Sequence, residues 1–268
     1  MNGSKIPLVV ASLALLISGL VPFSIQIGAQ GEAPQFESVT MLTIRPGLEE
    51  EYEEWQKKLV AAAAKIGSTA RVLVYQMAQG GPPNMFVTKT PFSRWADRDG
   101  LPNILEQAYG ASEAVKIGKA GRASVESVQT EVFSLLPRLS DTLKILDSPA
   151  SFLYVTRNEI KPEMESAWRS LYVARQKLAR EKTPGARQFI RRASIRGQQY
   201  VHWYESSFSK YADWDAELQL DLRKFFTDVE IAQHNRARDE SLIKRTQFVL
   251  RYRPELSRLG TARKSSQD

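Results

Sequence analysis

The sequence contains no cysteine and only two histidines among its 268 residues. Without cysteine the chain cannot form disulfides, use a thiol as a nucleophile, bind a metal through thiolates or carry a lipid on a cysteine. With two histidines and no H-E-x-x-H motif, a transition-metal site would have to consist mostly of carboxylates. The sequence therefore predicts no metal site.

Motifs for nucleotide binding and for serine nucleophiles are also missing. No G-x-S-x-G occurs, and no G-x-G-x-x-G follows a predicted strand. The glycine-containing stretch GKAGRAS at 118–124 lacks the spacing of a P-loop. These absences argue against a nucleotide-dependent enzyme and against a serine hydrolase.

The first 29 residues predict a signal peptide. A short start with one lysine precedes the apolar run IPLVVASLALLISGLVPF, and small residues lead up to Gln30. We expect cleavage after Ala29 and export from a bacterial cell, into the periplasm or the medium. The alternative is an uncleaved anchor, because the run over 6–27 is long enough to span a bilayer. Membrane contact would then be made only through this segment.

The net charge is +7 and is unevenly distributed. Residues 1–150 hold 14 basic and 15 acidic side chains, and residues 151–268 hold 23 and 15. A basic second half favours anionic partners. Because export argues against nucleic acid, we expect a small anionic ligand or a polyanion of the cell envelope instead.

The chain also contains an internal repeat with an offset of 116 residues. FSRWAD at 92–97 returns as FSKYAD at 208–213, and the similarity continues without a gap from about Val39 to Asp99. Each hexapeptide follows an apolar segment and offers a serine of the type that caps helices, which predicts a corner between a strand and a helix. The alternative is a pair of binding loops.

The sequence of each copy predicts six secondary-structure elements in the order β-α-β-β-α-β, which is the ferredoxin-like arrangement. In the first copy the strand SVTMLTI stops before Pro46, and a helix with glutamates in its first turns ends at Gly67. A hairpin, a second helical stretch and a last strand complete the copy. We expect one unit over 36–140, a second over 151–257, and a disordered basic tail over 258–268.

A strand followed by RPGLEEEYEEW, a hairpin and an F-S corner resembles the dimeric α/β barrel superfamily, in particular its NIPSNAP-like and antibiotic-biosynthesis-monooxygenase-like members. The resemblance covers nearly all of the mature chain. It implies an α+β fold in which the two tandem units form a pseudo-dimeric α/β barrel within one chain. Members of the superfamily carry out cofactor-free oxygenation, haem chemistry, isomerisation or binding, so the resemblance does not choose an activity.

The strand QYVHWYES provides the candidate catalytic residues His202 and Tyr204. Alternation along a strand puts these two side chains on one face and Val201 and Trp203 on the other. We expect His202 and Tyr204 to face the space between the two units, with their first-copy partners Phe86 and Thr88 as ligand-binding residues. An imidazole beside a phenol can accept a proton, anchor a ligand or bind haem. The alternative is a polar residue that is hydrogen-bonded in the core.

Three further polar residues of the second copy, Arg157, Asn158 and Arg191, are candidate ligand-binding residues. An inward arginine suits a carboxylate or an enolate. The alternative for Arg191 and the neighbouring arginines of RQFIRRASIR is a solvent-exposed edge of the sheet.

Together these features favour a protein that binds a small anionic or aromatic ligand between its halves, with any catalysis cofactor-free and similar to that of an oxygenase or an isomerase. One alternative is a non-catalytic interaction module of the cell envelope that docks through Arg191, Arg192 and Arg196. Another is a haem protein that uses His202. The sequence leaves a homo-oligomer open.

Overall fold

The computed structural model describes residues 34–68, 70–98, 103–137, 140, 149–182, 190–213 and 226–259. The expected signal peptide lies outside the described residues, so export and the cleavage site stay predictions. None of the helices in these ranges is both long and apolar enough to span a bilayer.

Within the described ranges, eight strands and five α-helices follow one another in two similar halves. The first half contains β1 (Phe36–Ile44), α1 (Glu49–Lys65), β2 (Leu73–Gln79), β3 (Met85–Phe92), α2 (Ile104–Tyr109), α3 (Ala111–Ser124) and β4 (Val125–Leu135). The second half contains β5 (Phe152–Ile160), α4 (Glu165–Lys182), β6 (Ile190–Arg196), β7 (Val201–Phe208), α5 (Asp228–Ser241) and β8 (Leu242–Tyr252).

The strands form one closed antiparallel barrel in the order β1-β3-β2-β8-β5-β7-β6-β4. Each half supplies a four-stranded sheet, and the two sheets join at β2–β8 and at β4–β6. Closure leaves no sheet edge without a partner. The prediction of two ferredoxin-like units that form a barrel within one chain is confirmed.

Two glycines make the joins between the halves possible. Gly80 ends β2 with a φ of 83°, and a Cβ there would lie 2.4 Å from the carbonyl oxygen of Gln247 on β8. Gly197 follows β6 with a φ of 91°, and its Cβ would lie 2.9 Å from the carbonyl oxygen of Thr130 on β4. Only glycine combines this conformation with so close an approach of backbones. The same device therefore closes the barrel at both joins.

The repeated hexapeptides form corners, as predicted. In the first half Phe92 and Trp95 pack together and on Phe36, with ring centroids 5.3–5.8 Å apart. In the second half Phe208 and Tyr211 pack in the same way on Phe152. The cap differs from the expectation, because in the second half the Asp213 carboxylate accepts the backbone N–H groups of Ser209 and Lys210.

The helices of the first half cover the outer face of its sheet with a continuous apolar core. Glutamates fill the first turn of α1, where the helix dipole favours negative charge. Tyr52 of α1 packs on Phe86 of β3 at 4.7 Å between ring centroids. The core also includes these buried residues: Leu42, Ile44, Trp55, Leu59, Val74, Ile104, Leu105 and Ile117.

The ordered chain continues past the last strand. Arg258, which the sequence assigns to the tail, pairs with Val72 through two backbone hydrogen bonds of 2.7 Å. Residues 260–268 lie outside the described residues.

Candidate functional site

The space between the two halves is filled with side chains. Trp203 lies at its centre and contacts Phe133 and Phe248, with ring centroids 5.6 Å away in each case. Valines, leucines and methionines of both halves surround these rings. A pocket of about 20 Å³, lined by residues of both halves, has room for a water molecule but not for an aromatic ring. The interior is therefore not the place where the described residues would hold an aromatic ligand.

The register of the sheet corrects the predicted facing of β7. Arg157 lies opposite Trp203 and Asn158 opposite His202 in the β5–β7 ladder. Val201 and Trp203 belong to the interior cluster, whereas His202 and Tyr204 lie on the outer face, under α4. The expectation that His202 and Tyr204 face the interior is wrong. Every residue of β7 from Val201 to Ser206 is buried, so burial does not distinguish the two faces of this strand.

Four of the predicted site residues nevertheless come together on that outer face. We call them, with three residues of α4, the second-half cluster: Asn158, His202, Tyr204, Arg191, Glu165, Trp168 and Tyr172. Trp168 donates a hydrogen bond of 2.9 Å from Nε1 to the Tyr204 hydroxyl. Tyr172 stacks on Tyr204 at 5.0 Å, and the Arg191 guanidinium lies 5.7 Å from the centre of the same ring.

His202 is buried without a hydrogen bond to its Nε2 atom. Its residue is 2% exposed, and the nearest carboxylate oxygen, Oε1 of Glu165, lies 3.6 Å from Nε2. Burial, and then the positive charge of Arg169, lower the pKa of His202 from 6.5 to about 4, against the opposing effect of Glu165. The imidazole is therefore neutral at pH 7.

Asn158, the cross-strand neighbour of His202, has an unsatisfied atom of its own. The residue is 1% exposed and its Oδ1 accepts no hydrogen bond. A buried polar atom without a partner costs about 1–3 kcal/mol, and side chains directly opposite in an antiparallel pair lie about 5 Å apart at Cβ. The described residues hold thirteen buried side-chain atoms without a hydrogen bond, and these two belong to residues that lie directly opposite each other on neighbouring strands.

The first half provides an internal comparison. The residues 116 positions before Asn158 and His202 are Leu42 and Phe86, which also face each other across two strands. Both are apolar, 1% and 0% exposed, and packed in the core under α1. At the same place the second half therefore has two polar side chains where the first half has two apolar ones, although the core under α1 also holds a buried donor without an acceptor, Nε1 of Trp55.

The remaining predicted residues lie elsewhere. Phe86 and Thr88 were expected to line the interior, but Phe86 packs on Tyr52 under α1 and Thr88, two residues along β3, shares its face. Arg157 does face the interior, where its Nη2 lies 2.6 Å from Glu131. The inward arginine of β6 is Arg192 rather than Arg191, because Arg192 lies opposite Trp203.

Sequence reasoning missed Trp168, Tyr172 and Glu165 as neighbours of His202. In the amphipathic pattern of α4, Trp168 lies on the apolar side, which packs toward the sheet. What the pattern could not supply is which face of β7 that helix covers, since both faces carry aromatic residues.

Haem does not fit at His202 unless Glu165 and Trp168 are displaced. Less than 1 Å² of the surface of Nε2 is accessible, and Glu165 lies directly beside it. A porphyrin bound to Nε2 would need the space that Glu165 and Trp168 occupy. We therefore derive no chemistry through haem.

The fold is that of the dimeric α/β barrel superfamily, here built from one chain. A solved anthrone oxidase-like protein matches with a TM-score of 0.55 at 14% identity, over 83% of this chain and 92% of its own. Candidate monooxygenases from Fusobacterium nucleatum and Lactobacillus acidophilus match with TM-scores of 0.52 and 0.50 at 8% and 10% identity, over 83% and 82% of this chain and 94% of each of theirs. At this identity the likeness concerns the fold alone.

No family model matches the chain, and no curated protein is similar to it in sequence.

Proposed function

We propose that the protein binds a small aromatic molecule in the second-half cluster, between the sheet and α4. The observation that supports this most is the adjacent pair Asn158 and His202, two buried side chains with unsatisfied polar atoms where the first half has Leu42 and Phe86. A ligand that carries hydroxyl groups satisfies both atoms. The stacked rings of Tyr172 and Tyr204 then supply an aromatic surface for the ligand.

The charge of the site suits a ligand that is an anion or that becomes one by losing a proton. Arg191 lies over the Tyr204 ring, and His202 is neutral because of its lowered pKa. Arg191 stabilises a phenolate or a carboxylate. Any reaction would be cofactor-free and would begin with transfer of a hydroxyl proton of the ligand to His202. The solved anthrone oxidase-like and monooxygenase-like neighbours share the fold and make an oxygen-consuming reaction the first to test.

Binding requires the first turn of α4 to move. Nε2 of His202 and Oδ1 of Asn158 have almost no accessible surface, so the described conformation is closed. Glu165 lies beside His202, and 28% of its side chain is exposed. Access to the cluster is by displacement of Glu165 and Trp168.

Native mass spectrometry of protein exported by its own host tests the proposal. We expect a co-purifying small molecule on the wild type and its loss in the double variant Asn158→Leu with His202→Phe, which copies the first half. Thr88→Val in the first half is the matched control and keeps the molecule. A molecule retained by the double variant would contradict the proposed site.

The second candidate is docking to an envelope partner through the basic surface of the second half. Of the arginines expected to dock, Arg192 is buried in the barrel, whereas Arg196 is exposed and lies 4.7 Å over the half-exposed Trp95 ring. Arg196→Gln discriminates the two candidates. Loss of function in this variant with the small molecule still bound would favour docking.

Export supports both candidates and is itself a proposal. The mature protein should begin at Gln30, and its mass should be that of residues 30–268. A protein that retains residues 1–29 and is found in the membrane fraction would show an uncleaved anchor instead. A homo-oligomer of complete barrels is also proposed, and the same spectra report its mass.

A further inference from the structure

The described part of the chain buries six residues with a formal charge, and all six point into the barrel. They alternate with the apolar residues of the interior cluster along their strands. None is more than 7% exposed: Glu37, Lys89, Glu131, Arg157, Arg192 and Glu205. Charges are rarely buried unless they are paired, because the cost of removing them from water is high.

Some of the ion pairs lie within one half, and others connect one half of the chain to the other. The pairs within one half are Lys89 with Glu37 at 3.3 Å, Arg192 with Glu205 at 2.8 Å, and Arg157 with Glu159. Lys89 of the first half donates to both carboxylate oxygens of Glu205 at 2.6 Å. Nε of Arg192 lies 2.9 Å from Glu37, and Nη2 of Arg157 lies 2.6 Å from Glu131. Each of the three positively charged groups therefore has a carboxylate partner in the opposite half.

Lys89 and Glu205 are the same position of the repeat. They are 116 residues apart, on β3 and β7, and they meet across the pseudo-twofold axis of the barrel. Burial alone would raise the pKa of Glu205, but Arg192 and Lys89 outweigh burial and lower this pKa to about 2. Duplicated positions at such an axis would carry like charges in a true homodimer.

The buried charges of the two halves are complementary in sum. Glu37, Lys89 and Glu131 give the first half an interior charge of −1. Arg157, Arg192 and Glu205 give the second half +1. The six buried charges of the barrel therefore sum to zero.

We propose that the barrel interior is a partner-selecting interface, in which a first half pairs only with a second half. Two first halves would enclose a charge of −2 and set Lys89 against a second Lys89. Two second halves would enclose +2 and set Glu205 against Glu205. Each half would keep its internal ion pairs but lose the pairs to the other half, and an uncompensated charge would stay buried, which disfavours both like pairings.

If a first half pairs only with a second half, every barrel contains one half of each kind. Only the second half carries the polar pair Asn158 and His202, while the first half has Leu42 and Phe86. The inference itself rests on the ion pairs and is independent of any ligand.

Charge reversal in the complete chain tests the electrostatic part. Lys89→Glu changes the first-half interior to −3, and Glu205→Lys changes the second-half interior to +3. We expect each single variant to lower the thermal midpoint by about 10 °C or more, and the double variant to recover most of that loss. Single variants as stable as the wild type, or a double variant no better than the worse single one, would overturn the proposal.

Re-pairing after cleavage tests the selection. A protease site inserted within 141–148 lets the folded chain be cut between its halves, and the cut protein is then denatured and refolded. Native mass spectrometry separates the pairings because the halves differ in mass. We expect pairs of one first and one second half, whereas like pairs in statistical proportion would overturn the proposal. The same experiment is repeated with the double variant Lys89→Glu with Glu205→Lys. Its first halves should again pair with its second halves and not with each other.

Discussion

The two halves of the chain have the same strand order and corners but differ in what their helices cover. Under α1 the first half packs a continuous apolar core that includes Leu42 and Phe86. Under α4 the described part of the second half has a smaller apolar cluster of Ile160, Trp168 and Tyr204, with Asn158 and His202 beside it. Equivalent positions of one fold therefore carry an apolar pair in the first half and a polar pair in the second, and the polar pair marks the second half as the place of the candidate site.

The largest effect should come from giving the first half the polar pair of the second. Leu42→Asn with Phe86→His removes apolar volume from a tight core and buries two polar side chains, which together cost more than about 5 kcal/mol. We expect this variant to be unfolded or to lose most of its stability in urea unfolding. A variant as stable as the wild type would show that the two environments are equivalent.

The next effect concerns the interior. Arg157→Met introduces the residue found at the equivalent position, Met41, and leaves Glu131 buried without its partner. Breaking a buried pair in this way costs about 3–5 kcal/mol, which urea unfolding measures. Arg169→Met on the exposed face of α4 is the control and should change stability by less than about 1 kcal/mol. Equal losses in the two variants would contradict the assigned role of the interior.

A pH effect of about 3 kcal/mol follows from His202. Its pKa is lowered in the folded protein to about 4, so the unfolded chain takes up a proton first as the pH falls below 6.5. Stability associated with His202 is present above pH 6.5 and is lost progressively toward pH 4. His202→Phe should flatten this part of the stability profile in urea titrations at several pH values. An unchanged slope would assign the dependence to other groups.

The smallest effect is a gain. Asn158→Leu with His202→Phe removes two unsatisfied polar atoms and should stabilise the protein by about 1–3 kcal/mol. The thermal midpoint should rise while the co-purifying molecule is lost. A fall in stability would mean that the two side chains are satisfied in the folded protein.

The sequence predicted the architecture because the repeat aligned two strands, a helix and a corner in each half, and every one of these has local signals such as Pro46, Gly67 and the hexapeptides. It also selected His202, Tyr204, Asn158 and Arg191 as candidates by their chemistry. It could not choose the face on which they lie. Period-two alternation separates His202 from Trp203, but both sides of β7 are buried, so alternation does not say which side is inside.

The interior charges were beyond sequence reasoning for a related reason. Glu37 and Lys89 look like ordinary surface residues at a strand end, and their burial depends on partners that lie far away in the chain. Lys89 and Glu205 occupy equivalent positions of the repeat but carry opposite charges. This difference in charge was the sequence feature that could have indicated their ion pair. These ion pairs form between residues that are far apart in the sequence and meet only when the barrel closes.

The most direct test of the proposed site is a crystal structure of the protein as its host exports it. We predict electron density for a small molecule under α4, within hydrogen-bonding distance of His202 Nε2 and Asn158 Oδ1, with Glu165 displaced. Density for that molecule at any other place in the chain, with His202 and Asn158 still enclosed as described, would contradict the account.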